Sequence, residues 1–228
     1  MSRALPFAGI VFDAYGTLFD VYAVEALLDS RFPGRGRAIA LRWRDKQIEY
    51  SRLRTLSDRY ADFWSVTVEA LEYACEFEQV SLDGATRGEL LAVYERLPAH
   101  SEVPAAIRAL VARGFSLAVL SNANKAMLEA ALIGAGLRPW FAYVLSVESV
   151  RKFKTAPEAY QLGPDAYGRA AGELLFVSSN GWDAAGAAWF GYPAYWINRA
   201  GAPAERLDAS PIATGRTMTD LVDFLTET

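Results

Sequence analysis

The stretch from Ile10 to Asp20, which reads IVFDAYGTLFD, constrains the fold of this 228-residue chain more than any other. An apolar run, Phe7 to Phe12, ends at the carboxylate of Asp13, and Gly16 permits a tight turn directly afterwards. Buried parallel strands end in this way at the sheet edge where α/β proteins place their ligands. Asp13 is therefore a candidate nucleophile at the lip of a crevice, with capping of the following helix as the alternative explanation.

The rest of the chain divides into a helical block and a region in which strands and helices alternate. Helical patterns cover 21–32, 38–54, 60–74 and 86–96, followed by 103–113, 124–135 and 157–169. Apolar runs typical of strands cover 115–120, 143–145, 174–177 and 194–197. Strands that alternate with helices predict a doubly wound parallel sheet. The predicted fold is α/β, a Rossmann-like core formed by residues 1–18 and 100–228 with a helical-bundle cap domain inserted at 19–99.

Polar side chains follow several of the predicted strands at the same edge of the sheet. They are Asp13 and Thr17 after the first strand, Ser121 and Asn122 after the second, Lys154 in a later loop, and Ser178, Asn180 and Asp183 after the fourth. Taken singly, each has an ordinary explanation as a helix cap or a surface lysine. Taken together, a carboxylate, a hydroxyl, an amide and an amine at matching strand ends predict one active site.

Composition and charge restrict the class of partner. The formal net charge of −4 gives no reason to expect a nucleic acid, and the eight arginines from Arg31 to Arg59 are interleaved with acids, as on a solvated helical face. The one cysteine, Cys75, excludes an internal disulfide, suits a reducing compartment and is interpreted as core. No apolar run approaches the ~20 residues of a membrane span, and no export signal is evident. We therefore expect a cytoplasmic protein, with His100 in a structural role.

The motifs in their order resemble the haloacid dehalogenase superfamily, and more narrowly its type II L-2-haloacid dehalogenases. They are DAYGTLFDV at 13–21, SN at 121–122, Lys154, and SSNGWD at 178–183. The similarity continues through the helical insertion, at FPGRGR (32–37), at Trp43-Arg44 and at RYADFW (59–64), so it covers most of the chain. The sequence departs from the family after Lys154, where Thr155 replaces a frequent proline, although Pro157 and Tyr160 keep the later part of that motif.

The resemblance leaves two chemistries to choose between, because most of the superfamily transfers phosphoryl groups with magnesium. Those phosphatases resemble Asp-x-Asp at the first strand, whereas here Tyr15 stands at the second position, and Asn180 replaces an expected metal-binding acid. Asp13 and Asp183 alone are a poor oxygen set for Mg²⁺. The resemblance thus implies hydrolytic dehalogenation without a metal or other cofactor. A magnesium-dependent phosphatase acting on a small phosphate monoester remains the alternative.

The implied reaction is the conversion of L-2-haloalkanoic acids to D-2-hydroxy acids with inversion at C2. Asp13 would attack C2 and form a covalent ester, and an activated water would then hydrolyse that ester. Arg44 would receive the halide, aided by Asn122, Trp182 and Tyr15. A homodimer is expected, as is common among the proteins that the chain resembles.

The other implied catalytic residues orient the nucleophile, hold the substrate or activate the water, and they are Thr17, Ser121, Lys154, Tyr160, Ser178, Asn180 and Asp183. Ser121 would hold the substrate carboxylate, Lys154 would keep the nucleophile ionised, and Asp183 would activate the water. Ile48, Phe63 and Trp182 would line an apolar pocket around the substrate. Plain core packing is the alternative explanation for Ile48 and Phe63.

Overall fold

The computed structural model of the protein describes residues 7–227 and has a six-stranded parallel sheet at its centre, so residues 1–6 of the predicted core lie outside the described residues. The strands are β1 (Gly9–Phe12), β2 (Leu117–Ser121), β3 (Tyr143–Ser146), β4 (Leu174–Ser178), β5 (Ala194–Ile197) and β6 (Ala213–Gly215). Their order in the sheet is β3-β2-β1-β4-β5-β6, and every neighbouring pair is parallel. The strand order reverses beside β1, and ligands of such sheets bind at the carboxyl ends of the strands next to that reversal.

Helices cover the sheet and form a separate block between β1 and β2. That block contains α1 (Glu25–Arg31), α2 (Gly36–Leu56), α3 (Phe63–Phe77) and α4 (Gly84–Glu95). The helices that alternate with the later strands are α5 (Val103–Ala112), α6 (Lys125–Gly134), α7 (Pro157–Tyr167), α8 (Gly181–Phe190) and α9 (Met218–Glu227). The prediction of an α/β fold with a doubly wound parallel sheet is confirmed.

The long helix α2 brings one face of the helical block toward the sheet edge. Its buried positions recur at helical spacing and are Gly36, Ile39, Ala40, Trp43, Gln47 and Ser51. Gly36 is needed at the start of α2, because a Cβ there would lie only 2.5 Å from the backbone nitrogen of Asp29. The indole of Trp43 donates a hydrogen bond to the carbonyl of Thr67, at 2.8 Å, which joins α2 to α3.

Several predicted boundaries were wrong, each for a local reason. The helix predicted at 60–74 begins only at Phe63, because the side chain of Asp62 accepts hydrogen bonds from two backbone N–H groups and caps it. Tyr60 therefore precedes α3 and does not belong to its apolar stripe. The helix predicted at 21–32 begins at Glu25, after a turn. The strand β6 and the helix α9 were not predicted at all.

Two predictions about single features can be compared with the described residues. Cys75 is buried, as expected of a core residue, and its burial raises the pKa of the thiol to about 11. Within residues 7–227, no helix is both long enough and apolar enough to cross a membrane.

Candidate active site

Three charged side chains meet at the carboxyl edge of the sheet, where they are buried inside the protein. Asp13 directly follows β1, Asp183 lies in the first turn of α8, and Lys154 belongs to the loop before α7. The ammonium nitrogen of Lys154 lies 3.1 Å from Oδ1 of Asp13 and 3.0 Å from Oδ2 of Asp183. The Lys154 side chain is only 1% exposed, so the explanation of Lys154 as an ordinary surface lysine is wrong. The site holds a cation between two carboxylates.

The protonation states of this cluster follow from burial and mutual charge. Burial by itself disfavours the Lys154 ammonium, but Asp13 and Asp183 together raise the pKa of Lys154 above its ordinary value. Burial raises the pKa of the Asp183 carboxyl, the Lys154 cation offsets part of that rise, and the charge of Asp13 adds to it. The hydroxyl of Tyr160 donates to Oδ1 of Asp183 at 2.8 Å. The pKa of Tyr160 is raised well above its usual value, first by burial, so its hydroxyl stays protonated as a donor.

Neighbouring donors hold the carboxylate of Asp13 in one orientation. Oδ2 accepts hydrogen bonds from Thr17 Oγ1 and from Asn180 Nδ2, each at 2.9 Å, and Ser178 Oγ lies 3.5 Å away. The backbone N–H of Ser179 donates to Thr17 Oγ1 at 2.8 Å and fixes that hydroxyl. Capping was the alternative for Asp13, and it is wrong because the next helix begins at residue 25 with Val24 at its N-cap.

A small cavity of about 20 Å³ adjoins Asp13, and the predicted substrate and halide residues line it. The lining residues are Asp13, Tyr15, Arg44, Ile48, Ser51, Phe63, Ser121, Asn122 and Trp182. All seven residues predicted to contact substrate or halide are among them. Ser51 was missed, although it lies on α2 one turn after Ile48 and thus on the face that was predicted to reach the site.

Arg44 joins the helical block to the sheet edge. Its Nη2 atom donates to the carbonyl oxygen of Tyr15 at 3.2 Å and lies 3.5 Å from Oδ1 of Asn180. The phenol of Tyr15 is buried, and within the described part of the chain its oxygen has no hydrogen-bond partner. A cation from α2 thus lies beside the turn that follows β1, where it can stabilise an anion formed next to Asp13.

The carboxyl end of β2 and the residue after it supply two polar groups to the cavity. Oδ1 of Asn122 accepts the backbone N–H of Lys154 at 2.9 Å, which orients the amide and leaves its NH₂ group as the remaining donor. The hydroxyl of Ser121 accepts the backbone N–H of Ala123 at 3.2 Å. The N-cap of α6 is Asn124, so the capping explanation of Ser121 and Asn122 is wrong. Asp183 does not cap α8 either, because the N-cap position there is Asn180.

Trp182 meets the helical block from the side of the sheet. It lies in the first turn of α8, and the guanidinium carbon of Arg52 on α2 is 4.8 Å from the centre of its ring. The Nε2 atom of His100 lies 3.2 Å from the carbonyl oxygen of Gly16, so the His100 ring contacts the backbone of the turn after β1. Burial lowers the pKa of His100, and nearby Arg199 lowers it further.

We next compared the possible metal-ligating side chains with the number of ligands that a metal ion needs. Among residues 7–227, no group of three or more His, Cys, Asp and Glu side chains is arranged to hold one. The space between the two buried carboxylates is taken by the ammonium of Lys154, which already neutralises one of their charges.

Known proteins share both the sequence and the architecture. A family model for haloacid dehalogenase-like hydrolases matches residues 7–191. The chain is 46% identical over 203 residues to an (S)-2-haloacid dehalogenase of Pseudomonas sp. (strain YL), which covers 89% of this chain and 88% of that protein. A crystal structure of an L-2-haloacid dehalogenase superposes with a TM-score of 0.95 at 48% identity, covering 96% of this chain and 99% of the other. A structure of L-2-haloacid dehalogenase from Xanthobacter autotrophicus, with chloropropionic acid covalently bound, superposes with a TM-score of 0.89 at 35% identity. The match covers 96% of this chain and 98% of the Xanthobacter chain.

Proposed function

The chain belongs to the haloacid dehalogenase-like hydrolases, and from that premise we propose that it hydrolyses L-2-haloalkanoic acids to D-2-hydroxy acids. One observation carries the proposal: a buried carboxylate, Asp13, and a cation from another part of the fold, Arg44, line the same small cavity. Displacement of a halide needs both a nucleophile and a stabiliser for the departing anion. The (S)-2-haloacid dehalogenase activity of a relative 46% identical to this chain supports the same reaction class.

In the first step an oxygen of Asp13 attacks C2 of the substrate from the side opposite the halogen. A C–O bond forms, the carbon–halogen bond breaks with its electron pair leaving on the halide, and an ester of Asp13 results with inverted configuration. Arg44 and the NH₂ group of Asn122 receive the halide, with Tyr15 and Trp182 completing that side of the cavity. No proton is transferred in this step, so the reaction depends on alignment and on charge.

The remaining walls of the cavity contact the carboxylate and the alkyl group of the substrate. Ser121 binds the carboxylate of the substrate, which fixes the C2 configuration that can present its halogen to Arg44. Ile48, Phe63 and Trp182 surround the alkyl chain and exclude bulk water, which would otherwise solvate the nucleophile. A covalent chloropropionic acid adduct in the Xanthobacter enzyme supports an intermediate of this kind.

In the second step a water molecule attacks the carbonyl carbon of the Asp13 ester. Asp183 takes the proton from this water, and its raised pKa makes it a stronger base than an ordinary aspartate. The tetrahedral intermediate then expels the hydroxy acid oxygen, which receives the proton from Asp183. The bond between C2 and oxygen survives, so the product keeps the inverted D configuration. Lys154 stabilises the negative charge that develops on the tetrahedral intermediate, and Tyr160 holds Asp183 in place.

We propose that the substrate reaches the cavity through a movement of the helical block. A volume of about 20 Å³ is enough for about one water molecule and is too small for a 2-haloalkanoic acid. We therefore assign residues 19–99 as a cap domain that opens and closes over a core formed by 1–18 and 100–228. Closure brings Arg44 of α2 onto the turn after β1 and completes the halide site.

We extend the proposal to a homodimer formed through the outer face of α2 and α3. Leu53 and Phe77 are exposed there, and a groove of about 500 Å³ lies between the two helices. Light scattering after gel filtration should give twice the chain mass of 25.0 kDa. A mass of 25.0 kDa at micromolar concentration would contradict this assembly.

The decisive assay measures halide released from L- and D-2-chloropropionate separately, in the presence of EDTA, with Asp13→Asn as the matched control. We expect release from the L form only, D-lactate as product, and no release by the control. Absence of release from both forms, together with magnesium-dependent hydrolysis of a phosphate monoester, would replace the proposal with the phosphatase alternative.

Isotopic labelling tests the ester. In a single turnover in H₂¹⁸O, the label should enter the Asp13 carboxylate, detected in the peptide by mass spectrometry. Label appearing first in lactate would mean that water attacks C2 directly, and it would overturn the covalent mechanism.

A further inference from the structure

The segment from Arg151 to Lys154 carries the buried lysine of the site and belongs to no helix or strand. The backbone of Arg151 has a φ of 53°, in the left-handed region that residues with a Cβ rarely adopt. Phe153 and Lys154 are both buried. A conformation of this kind persists only where the surrounding structure holds it, so the segment depends on its contacts with other elements.

Two consecutive backbone N–H groups of this segment donate to side chains from different parts of the fold. The N–H of Phe153 donates to Oγ1 of Thr55, in the last turn of α2, at 3.0 Å. The N–H of Lys154 donates to Oδ1 of Asn122, after β2, at 2.9 Å. A buried N–H without an acceptor is costly, so both hydrogen bonds constrain the path of the backbone. They connect the helical block to the Asn122 amide.

Two further contacts join the same end of the helical block to the segment. The ammonium of Lys152 lies 2.8 Å from Oδ1 of Asp58, and the ring of Tyr60 packs on Phe153 with ring centres 5.1 Å apart. The Asp58 side chain is 85% exposed, so this ion pair by itself contributes little. Of these contacts, the hydrogen bond to Thr55 acts on the backbone itself.

The Asn122 amide is oriented by the N–H that its oxygen accepts. Because Oδ1 faces the backbone of Lys154, the NH₂ group of Asn122 is directed away from it, and Asn122 lines the cavity together with Arg44. A shift of the backbone at Phe153 would move that N–H and turn the amide. The Lys154 ammonium is held separately, by the two carboxylates, so we expect its charge contacts to survive such a shift.

We infer that Thr55 is a positioning residue that acts through the backbone of Phe153 and Lys154 and directs the Asn122 amide toward the departing halide. The inference rests on the proposed function, because that function assigns the halide to Asn122 and Arg44. Thr55 is not among the residues that line the cavity, and it does not contact the substrate. The helical block thus sets both donors of the halide site, Arg44 directly and Asn122 through this segment.

The test replaces Thr55 by valine, which keeps the shape of the side chain and removes the acceptor oxygen. Single-turnover halide release should slow by about fivefold for L-2-chloropropionate, the range expected for one lost hydrogen bond between neutral groups. It should slow by only about twofold for L-2-bromopropionate, because bromide is the better leaving group and depends less on the donors around it. Hydrolysis of the preformed Asp13 ester, followed as lactate, should keep its rate, since Lys154 and Asp183 stay in place.

Three control variants separate this role from a general effect on the fold. Thr55→Ser keeps the acceptor oxygen and should keep the chloride rate within about twofold of wild type. Ser57→Ala is the matched control at the same end of α2: its hydroxyl donates to the carbonyl of Leu53, within the helical block, and its loss should change neither halide rate. In an Asn122→Ala background, Thr55→Val should cause no further slowing, because the group through which Thr55 acts is already absent.

Three kinetic results would overturn the inference. One is an unchanged rate of halide release in Thr55→Val. Another is slowing by the same factor with chloride and bromide, which a loss of folded protein would produce. The third is slower hydrolysis of the ester with normal halide release, which would mean that Thr55 acts on Lys154. Thr55→Ala carries the same test if Thr55→Val does not fold, because alanine is the better helix former.

Amide hydrogen exchange followed by mass spectrometry gives a readout that is independent of activity. The peptide that contains Phe153 should exchange faster in Thr55→Val than in Thr55→Ser, and equal exchange counts against the inference. If the wild-type protein releases no halide, the proposed function fails, and the exchange at Phe153 alone decides whether Thr55 holds the segment.

Discussion

Replacement of Lys154 by methionine tests how the buried charges at the sheet edge are balanced. With Lys154 present, two carboxylates in their charged form and one ammonium together carry a single negative charge. Methionine has a similar volume and no charge, so the variant leaves two carboxylates side by side without a cation. Asp183 is completely buried and Asp13 nearly so, and bulk water therefore does not solvate the two charges.

The expected cost follows from the two contacts. Each nitrogen–oxygen distance is near 3 Å, which gives about 5 kcal/mol of attraction per contact at an effective dielectric constant of about 20. Desolvation of the ammonium cancels several kcal/mol of that gain, so the net loss should be about 3–5 kcal/mol, as for other broken buried pairs. For a chain of 228 residues this corresponds to a fall of about 10 °C in Tm.

The pH dependence has a definite sign. In Lys154→Met one carboxyl of the pair binds a proton more tightly in the folded state than in the unfolded state, so its folded pKa is raised. Such a group stabilises the fold at low pH, and the contribution is lost as the pH rises through the folded pKa. The deficit relative to wild type should therefore shrink from pH 7 to pH 5, as measured by thermal unfolding followed by circular dichroism.

A second substitution separates charge from packing. Adding Asp183→Asn to Lys154→Met restores the net charge of the cluster to −1 and should recover more than half of the lost Tm. The double variant should not turn over, because hydrolysis of the ester needs Asp183. A Tm for Lys154→Met within about 2 °C of wild type at pH 7 would show that the cation does not balance the carboxylates. Failure of the second substitution to recover stability would show that packing causes the loss.

Two further predictions concern the surroundings of Asp183. Tyr160→Phe removes a hydrogen bond that lowers the pKa of Asp183, so the acid limb of the pH–kcat profile should move to higher pH; an unmoved limb would mean that Asp183 is not the base. Gly186→Ala places a Cβ about 2.5 Å from the hydroxyl of Tyr160 and should destabilise the protein by about 1–3 kcal/mol. Gly88→Ala meets nothing within 4 Å and should stabilise it by about 0.5–1 kcal/mol in the same thermal measurement, so equal effects of the two alanines would contradict the packing argument.

The sequence predicted those elements whose apolar pattern was unambiguous. The run that ends at Asp13 identified β1 and the point where it leaves the sheet, because a fully buried parallel strand has no polar residue until that point. The strand β6 was missed because its three residues, Ala213–Gly215, are partly exposed and carry no apolar run. The helix α9 could have been predicted, since Met218, Leu221 and Leu225 follow one another at i, i+3 and i+7.

The candidate site was predicted as a set of residues but not as a geometry. Motif order placed Lys154 and Asp183 at one edge, yet no pattern showed that the ammonium lies buried between two carboxylates. The hydrogen bond from Tyr94 to Gln47 gave no signal, because it depends on how α4 packs against α2, and spacing within one helix does not reveal a neighbour from another. Contacts between elements distant in sequence are therefore the part that required the structure.

The two halves of the site lie on different parts of the fold, and in the proposed mechanism this separates the halide site from the groups that hydrolyse the ester. Asp13, Lys154 and Asp183 are all carried by the sheet and its following segments, so their mutual charges do not depend on the position of the helical block. Arg44 lies on α2, and the proposed opening of the helical block would break its contact with the carbonyl of Tyr15. Opening would therefore remove the halide site and release the halide, while the groups that hydrolyse the ester stay assembled.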